Sequence, residues 1–170
     1  MRRTLLPLLA LLLATAPAVA VEPADAARLD EVTERGRHIM PFGLEKTTHV
    51  FTKMEDGGRQ QVITKDSADA EQIRLIREHL AQIAAAFAKG DFSGPTRIHG
   101  DAMPGLAAMK QAPPGQIEYR YKELPDGAEI DYVAKGAELT EAIHRYFDAQ
   151  LSDHARHAVP GHERHRMDMK

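Results

Sequence analysis

Cysteine and tryptophan are both absent from this 170-residue chain, and aromatic side chains of any kind make up only 5% of it. A chain without thiols forms no disulfide and offers no thiolate to a metal or a redox couple. The scarcity of aromatics argues against sugar hydrolysis, which needs two carboxylates facing each other across a cleft. Acidic pairs such as Asp126 and Glu129 therefore read as solubilising. Neither sign of charge dominates, with 22 Lys and Arg against 25 Asp and Glu and a net charge of −3, so a nucleic-acid partner is not expected. The nucleotide-binding glycine motifs and the Gly-x-Ser-x-Gly elbow of hydrolases are missing too.

Long apolar runs occur only at the start. Arg2 and Arg3 precede an apolar stretch from Leu5 to Ala14, and Ala18-Val19-Ala20 follows with the small-x-small spacing of a peptidase site. This pattern predicts a signal peptide over residues 1–20, cleavage after Ala20, and a periplasmic or secreted protein. No later segment has the length of a membrane span, and no cysteine stands at the cleavage point to carry a lipid. Residues 21–158 then form one domain, long enough to bury a core without staples. From Pro160-Gly161 onward the apolar stripe stops, which predicts a flexible, His- and Met-rich tail over 159–170.

Within the domain, Leu29, Val32 and Ile39 predict a helix from Asp25 to Met40, ended by Pro41. The β-branched run Thr47–Thr52, the turn residues Asp56-Gly57-Gly58 and the segment Gln61–Thr64 predict a hairpin. Ile73, Ile76, Leu80, Ile83 and Phe87 recur at helical spacing, giving a helix that ends at Gly90. A loop through Gly94-Pro95 comes next, then a short helix capped by Asp101 and running to Lys110. The hairpin pattern returns at Ile117–Tyr121 and Ala128–Val133 about Pro125-Asp126-Gly127, and a helix follows with Leu139, Ile143, Phe147 and Leu151 on one stripe. Two ββα units joined edge to edge would make an α+β domain, a four-stranded antiparallel sheet packed with helices, plus the N-terminal helix.

The segments Met40-Pro41-Phe42, Thr47-Thr48-His49, Ile98-His99-Gly100, Met103-Pro104-Gly105-Leu106 and Phe147 to His154 have a further use. Together they resemble a group of small exported bacterial proteins of obscure function that carry the label aspartate carbamoyltransferase. The resemblance covers nearly all of the chain after residue 20 and implies export without implying a mechanism. The label requires a Ser-Thr-Arg-Thr segment and a His-Pro-x-Gln segment to bind carbamoyl phosphate, and this sequence has neither.

What the chain does have is nine His and seven Met. Imidazole and thioether are the transition-metal donors left to a thiol-free exported protein, and copper precedes zinc in intrinsic affinity for such sites. His49 sits in a strand, His99 and Met103 flank the start of the short helix, His144 lies on the last helix and His154 ends it beside Asp153. These five are the candidate metal ligands, for a copper ion first and a zinc ion second. Asp148, four residues after His144, could orient that imidazole. His79 reads as structural, and Met40 and Met109 as core. His154, His157, His162, His165, Met167 and Met169 form a second group that could capture metal in the tail. Ser152-Asp153-His154 is no triad, because consecutive side chains on a helix diverge.

Three functions follow: a periplasmic metal-binding protein, a small binding or scaffold module for a protein partner or an organic ligand, and an enzyme with a His/Asp site. The first predicts convergence of at least three candidate ligands, the second dispersed histidines beside an apolar cleft, and the third a hydrogen-bonded His/Asp pair at the floor of a pocket.

Overall fold

A computed structural model describes residues 21–162. The predicted signal peptide, and His165, Met167 and Met169 of the tail, lie outside the described residues. The elements run α1 (Ala26–Ile39), β1 (Thr47–Met54), β2 (Gly57–Thr64), α2 (Ala70–Phe87), α3 (Ser93–His99), α4 (Leu106–Gln111), β3 (Ile117–Leu124), β4 (Gly127–Ala134), α5 (Ala137–Asp153) and β5 (Ala158–Pro160). The described residues are mixed α/β, with five α-helices and one five-stranded sheet. No described helix is long and apolar enough to cross a membrane.

Each hairpin closes through a two-residue turn, Glu55-Asp56 in one and Pro125-Asp126 in the other, and the two join through antiparallel pairing of β2 with β4. The sheet order is β3-β4-β2-β1-β5. Four antiparallel strands were expected; the fifth, β5, pairs parallel to β1, with Ala158 opposite His49 and Pro160 opposite Phe51. Residues 159 and 160 thus belong to the sheet although their composition resembles the tail. Three residues on an edge strand carry no alternation from which to read them.

Register and alternation place His49, Phe51, Gly58, Gln60, Val62, Ile130 and Tyr132 on one face. Both long helices cover that face. Phe87 of α2 and Phe147 of α5 each meet Tyr132, with ring centroids 6.2 and 5.2 Å apart. Gly58 lets α5 come this close, because a Cβ there would stand 2.4 Å from the Phe147 ring. Asp69 caps α2 by accepting from the Gln72 N–H, and Asp25 caps α1 by accepting from the Arg28 N–H.

Two local expectations fail. Gly94-Pro95 lies inside helix α3, where proline sits in the first turn and needs no N–H donor. Asp101 caps nothing; α4 starts later, from Gly105 in the left-handed region at φ +78°. A Cβ on Gly105 would lie 2.1 Å from the Ala142 carbonyl of α5. Gly105→Ala therefore combines backbone strain with a clash against rigid backbone. It is expected to lower stability by more than about 2 kcal/mol, read as a fall in the urea midpoint at constant slope.

Candidate functional site

Three elements bring imidazoles to one place. Alternation along β1 turns His49 inward between Thr47 and Phe51, α3 ends on His99, and His154 caps the end of α5. All three are buried. His99 is gripped from both sides by consecutive residues of α5. Its Nδ1–H donates to Asp153 Oδ2 at 2.7 Å, and its Nε2 lies 3.2 Å from His154 Nε2. Since Asp153 takes the Nδ1 proton, a neutral His99 accepts at Nε2 and His154 donates. The side chains of Asp153 and His154 diverge, as helical neighbours must, and it is His99 that fills the gap between them.

Arg28 of α1 completes the chain. Its Nε and Nη2 reach the two Asp153 oxygens at 3.1 and 2.6 Å, and Nη2 also donates to the His99 carbonyl at 2.8 Å. Burial by itself would raise the Asp153 carboxyl, but the hydrogen bonds from His99 and Arg28, with their charge, hold it well below the usual carboxylate range. The carboxylate stays ionised and fixes the His99 tautomer, leaving the Nε2 lone pair on the far side of the ring.

That far side lines a cavity of about 70 Å³ shared by His49, His79, His99 and His154. Its walls include Phe42, Leu80, Ile83 and Phe87, and its polar lining adds Gln60, Tyr146 and Gln150. A water needs about 10–15 Å³ on this scale, so the space suits a few small atoms and is far below the volume for a drug-sized ligand. Burial lowers His49 and His79 to about 4 and holds His154 well below its ordinary value, so these rings are neutral at pH 7. His49 Nδ1 is buried without a hydrogen-bond partner among the described residues.

The five sequence candidates therefore divide. His49, His99 and His154 come together. Met103 lies under a separate groove on the Arg28 side of Asp153, buried in the core. His144 faces the first hairpin, where Nε2–H donates to the carbonyls of Met54 and Gly57 at 3.0 and 2.8 Å. Its proton is committed to pinning that turn. Asp148 does not orient it and pairs with Lys53 at 2.7 Å. His79 is the residue sequence reasoning passed over. It stands three after Ile76 and four before Ile83, at the margin of the apolar stripe of α2, and its ring meets Phe42 at 5.6 Å. That marginal position was the available signal.

As the side chains stand, no group of three or more His, Asp or Glu among the described residues is placed to hold a metal ion. Orientation accounts for this. The His49 ring is stacked on His154 at 5.7 Å and 10°, and lone pairs lying in parallel planes do not meet at one point. The His99 and His154 rings are perpendicular, at 86°. A hydrogen-bonded His/Asp pair is also present, with His99 lining this pocket and Asp153 lining the separate groove behind it. No protein-family model, curated protein or solved structure matches this chain.

Proposed function

We propose that this is an exported transition-metal-binding protein, taking copper in preference to zinc, with the ion seated between His99 Nε2 and His154 Nε2 and completed by His49 and His79. The observation that carries the reading is the pair of Nε2 atoms 3.2 Å apart with Asp153 behind one of them. Two nitrogens bound to one tetrahedral ion at about 2.0 Å stand roughly 3.3 Å apart, so the separation suits a metal, while the rings would have to turn and the His154 proton pass from Nε2 to Nδ1 for both lone pairs to face it. A carboxylate on the other ring nitrogen is the usual support of a metal-bound histidine. Burial keeps His49, His79 and His154 neutral, the form that ligates. Rotation of His49 out of its stack would bring in a third donor whose Nδ1 has no hydrogen bond to lose.

Isothermal titration of the protein with Cu(II), Zn(II) and, under reducing anaerobic conditions, Cu(I) tests this. One equivalent bound by a chain ending at residue 162 supports it, and binding no better than that of a peptide spanning 154–170 removes it. Asp153→Asn is expected to weaken copper binding by about 10- to 100-fold, because an amide does not fix the His99 tautomer as the carboxylate does.

A second reading rests on the Arg28-Asp153-His99 chain alone. An oriented His/Asp pair at the end of an apolar cavity can act as a general base towards a small substrate. It gains ground only if the titrations show no metal bound while small-molecule soaks show the cavity filled.

A further inference from the structure

β5 is weakly secured to the rest of the sheet. β1 pairs with β2 over eight residues but with β5 over three, His49 to Phe51. Of the β5 residues only Ala158 is buried; Val159 is 45% exposed, and Pro160 has no N–H to give to the ladder. In the turn that leads from His154 into the strand, Arg156 reaches Asp30 at 2.7 Å, an exposed ion pair that contributes little. His157, the last residue of that turn, is decisive. Its side chain is only 4% exposed, yet neither Nδ1 nor Nε2 has a hydrogen-bond partner among the described residues. Glu45 Oε1 stands 3.5 Å from Nε2, too far for a hydrogen bond, and its side chain is exposed. Whichever ring nitrogen carries the proton, both positions are buried unpaired. Buried polar groups are nearly always paired, and an unpaired one carries its whole desolvation penalty, which opening to water relieves.

We propose that residues 155–160, the turn and β5, form a releasable strap that detaches from β1 as a unit while α5 and strands β1 to β4 stay folded. The strap holds two of the clustered histidines by their backbones. The His157 carbonyl accepts from the His49 N–H at 2.8 Å, and the His157 N–H donates to the His154 carbonyl at 2.8 Å. Beyond the strand, the Gly161 N–H donates to the Phe51 carbonyl at 2.8 Å. Opening the strap breaks these bonds, bares the β1 edge from His49 to Phe51, and loosens the end of α5 that carries His154 against His99. Both the His49 and His154 rings then gain freedom to turn, so the strap controls how rigidly the imidazole cluster is held. It does so whatever the cavity takes up, and stands apart from the metal reading. Local opening of this kind draws on the segments with the fewest buried apolar contacts, and β5 has Ala158 alone.

Native-state hydrogen exchange of the protein, followed residue by residue through a series of low urea concentrations, tests this. The His49 amide is expected to exchange by a local opening, at least about a hundredfold faster relative to its intrinsic rate than the slowest amides of β2 and β4. That exchange is expected to depend little on urea, because releasing the strap exposes little surface. His157→Phe keeps a buried ring and removes both polar nitrogens, so it is expected to slow the His49 amide by about tenfold. If that variant does not fold, His157→Leu takes its place. A wild-type His49 amide that exchanges only with global unfolding, sharing the urea slope of the slowest amides, overturns the strap. A folded variant whose His49 amide exchanges as fast as in the wild type overturns it too, since the unpaired nitrogens would then not be what loosens β5.

Discussion

His99→Ala is expected to lower copper affinity by more than about a hundredfold, whereas His144→Ala is expected to leave it within twofold. The contrast follows from what each imidazole has available. Neutral His99 offers an Nε2 lone pair to the cavity because its Nδ1 proton is held by Asp153. His144 has Nε2–H bound between the carbonyls of Met54 and Gly57 and does not line the cavity. Removing His99 leaves Asp153 with both bonds from Arg28, so the carboxylate is not stranded and the domain is expected to fold, at a cost of about 1–3 kcal/mol. Removing His144 frees two turn carbonyls and reduces stability without touching the site. Titration beside thermal unfolding separates the effects. A folded His99→Ala protein that binds one equivalent of copper as tightly as the wild type would place the ion elsewhere. Because the ion binds only the folded chain, copper is also expected to raise the wild-type melting temperature and to leave that of His99→Ala nearly unchanged.

The sequence carried the two ββα units and the placing of His49 in a strand, because alternation and helical spacing are local signals repeated over whole elements. It did not carry α3. Proline after glycine reads as a turn, and only the packing of α3 beside α1, where Arg35 donates to the Ile98 carbonyl, shows that the first helical turn tolerates Pro95. The site was half legible for a related reason. His99, Asp153 and His154 stand out as residues, but the bond from Asp153 to His99 joins α5 to α3 across 54 positions, and Arg28 reaches it across 125. Spacing rules inside one helix have nothing to say about such contacts. His144 and Asp148 show the reverse failure: the spacing fits an oriented imidazole, yet each side chain bonds to β1 or its turn instead. His79 passed as structural because a histidine at the edge of an apolar stripe looks the same whether it faces solvent or a cavity. Tertiary structure decides between those, and here it turns the ring towards Phe42 and the pocket.

The metal-free protein is expected to lose about 4 kcal/mol of stability between pH 7.5 and pH 5, a substantial share of the roughly 5–15 kcal/mol typical of a folded domain. Burial holds His49 and His79 at about 4 in the folded chain, against 6.5 when unfolded. Below pH 6.5 the unfolded chain gains protons that the folded chain refuses, so stability is fully present above 6.5 and is lost as the pH falls towards 4. At pH 5 each of the two residues costs about 2 kcal/mol. His154, lowered further by burial and by the neighbouring His99 and His49, acts in the same direction, so the figure is a lower bound. Asp153 does not compensate. Its depressed value gives a contribution present above the unfolded carboxyl pKa and lost only at more acid pH, outside this window. Urea unfolding at the two pH values measures the loss, and His79→Phe, which keeps an apolar ring against Phe42, is expected to remove about half of it. An unchanged midpoint between pH 7.5 and 5 would mean that the buried imidazoles accept protons in the folded state, and so that the cavity around them is open to water.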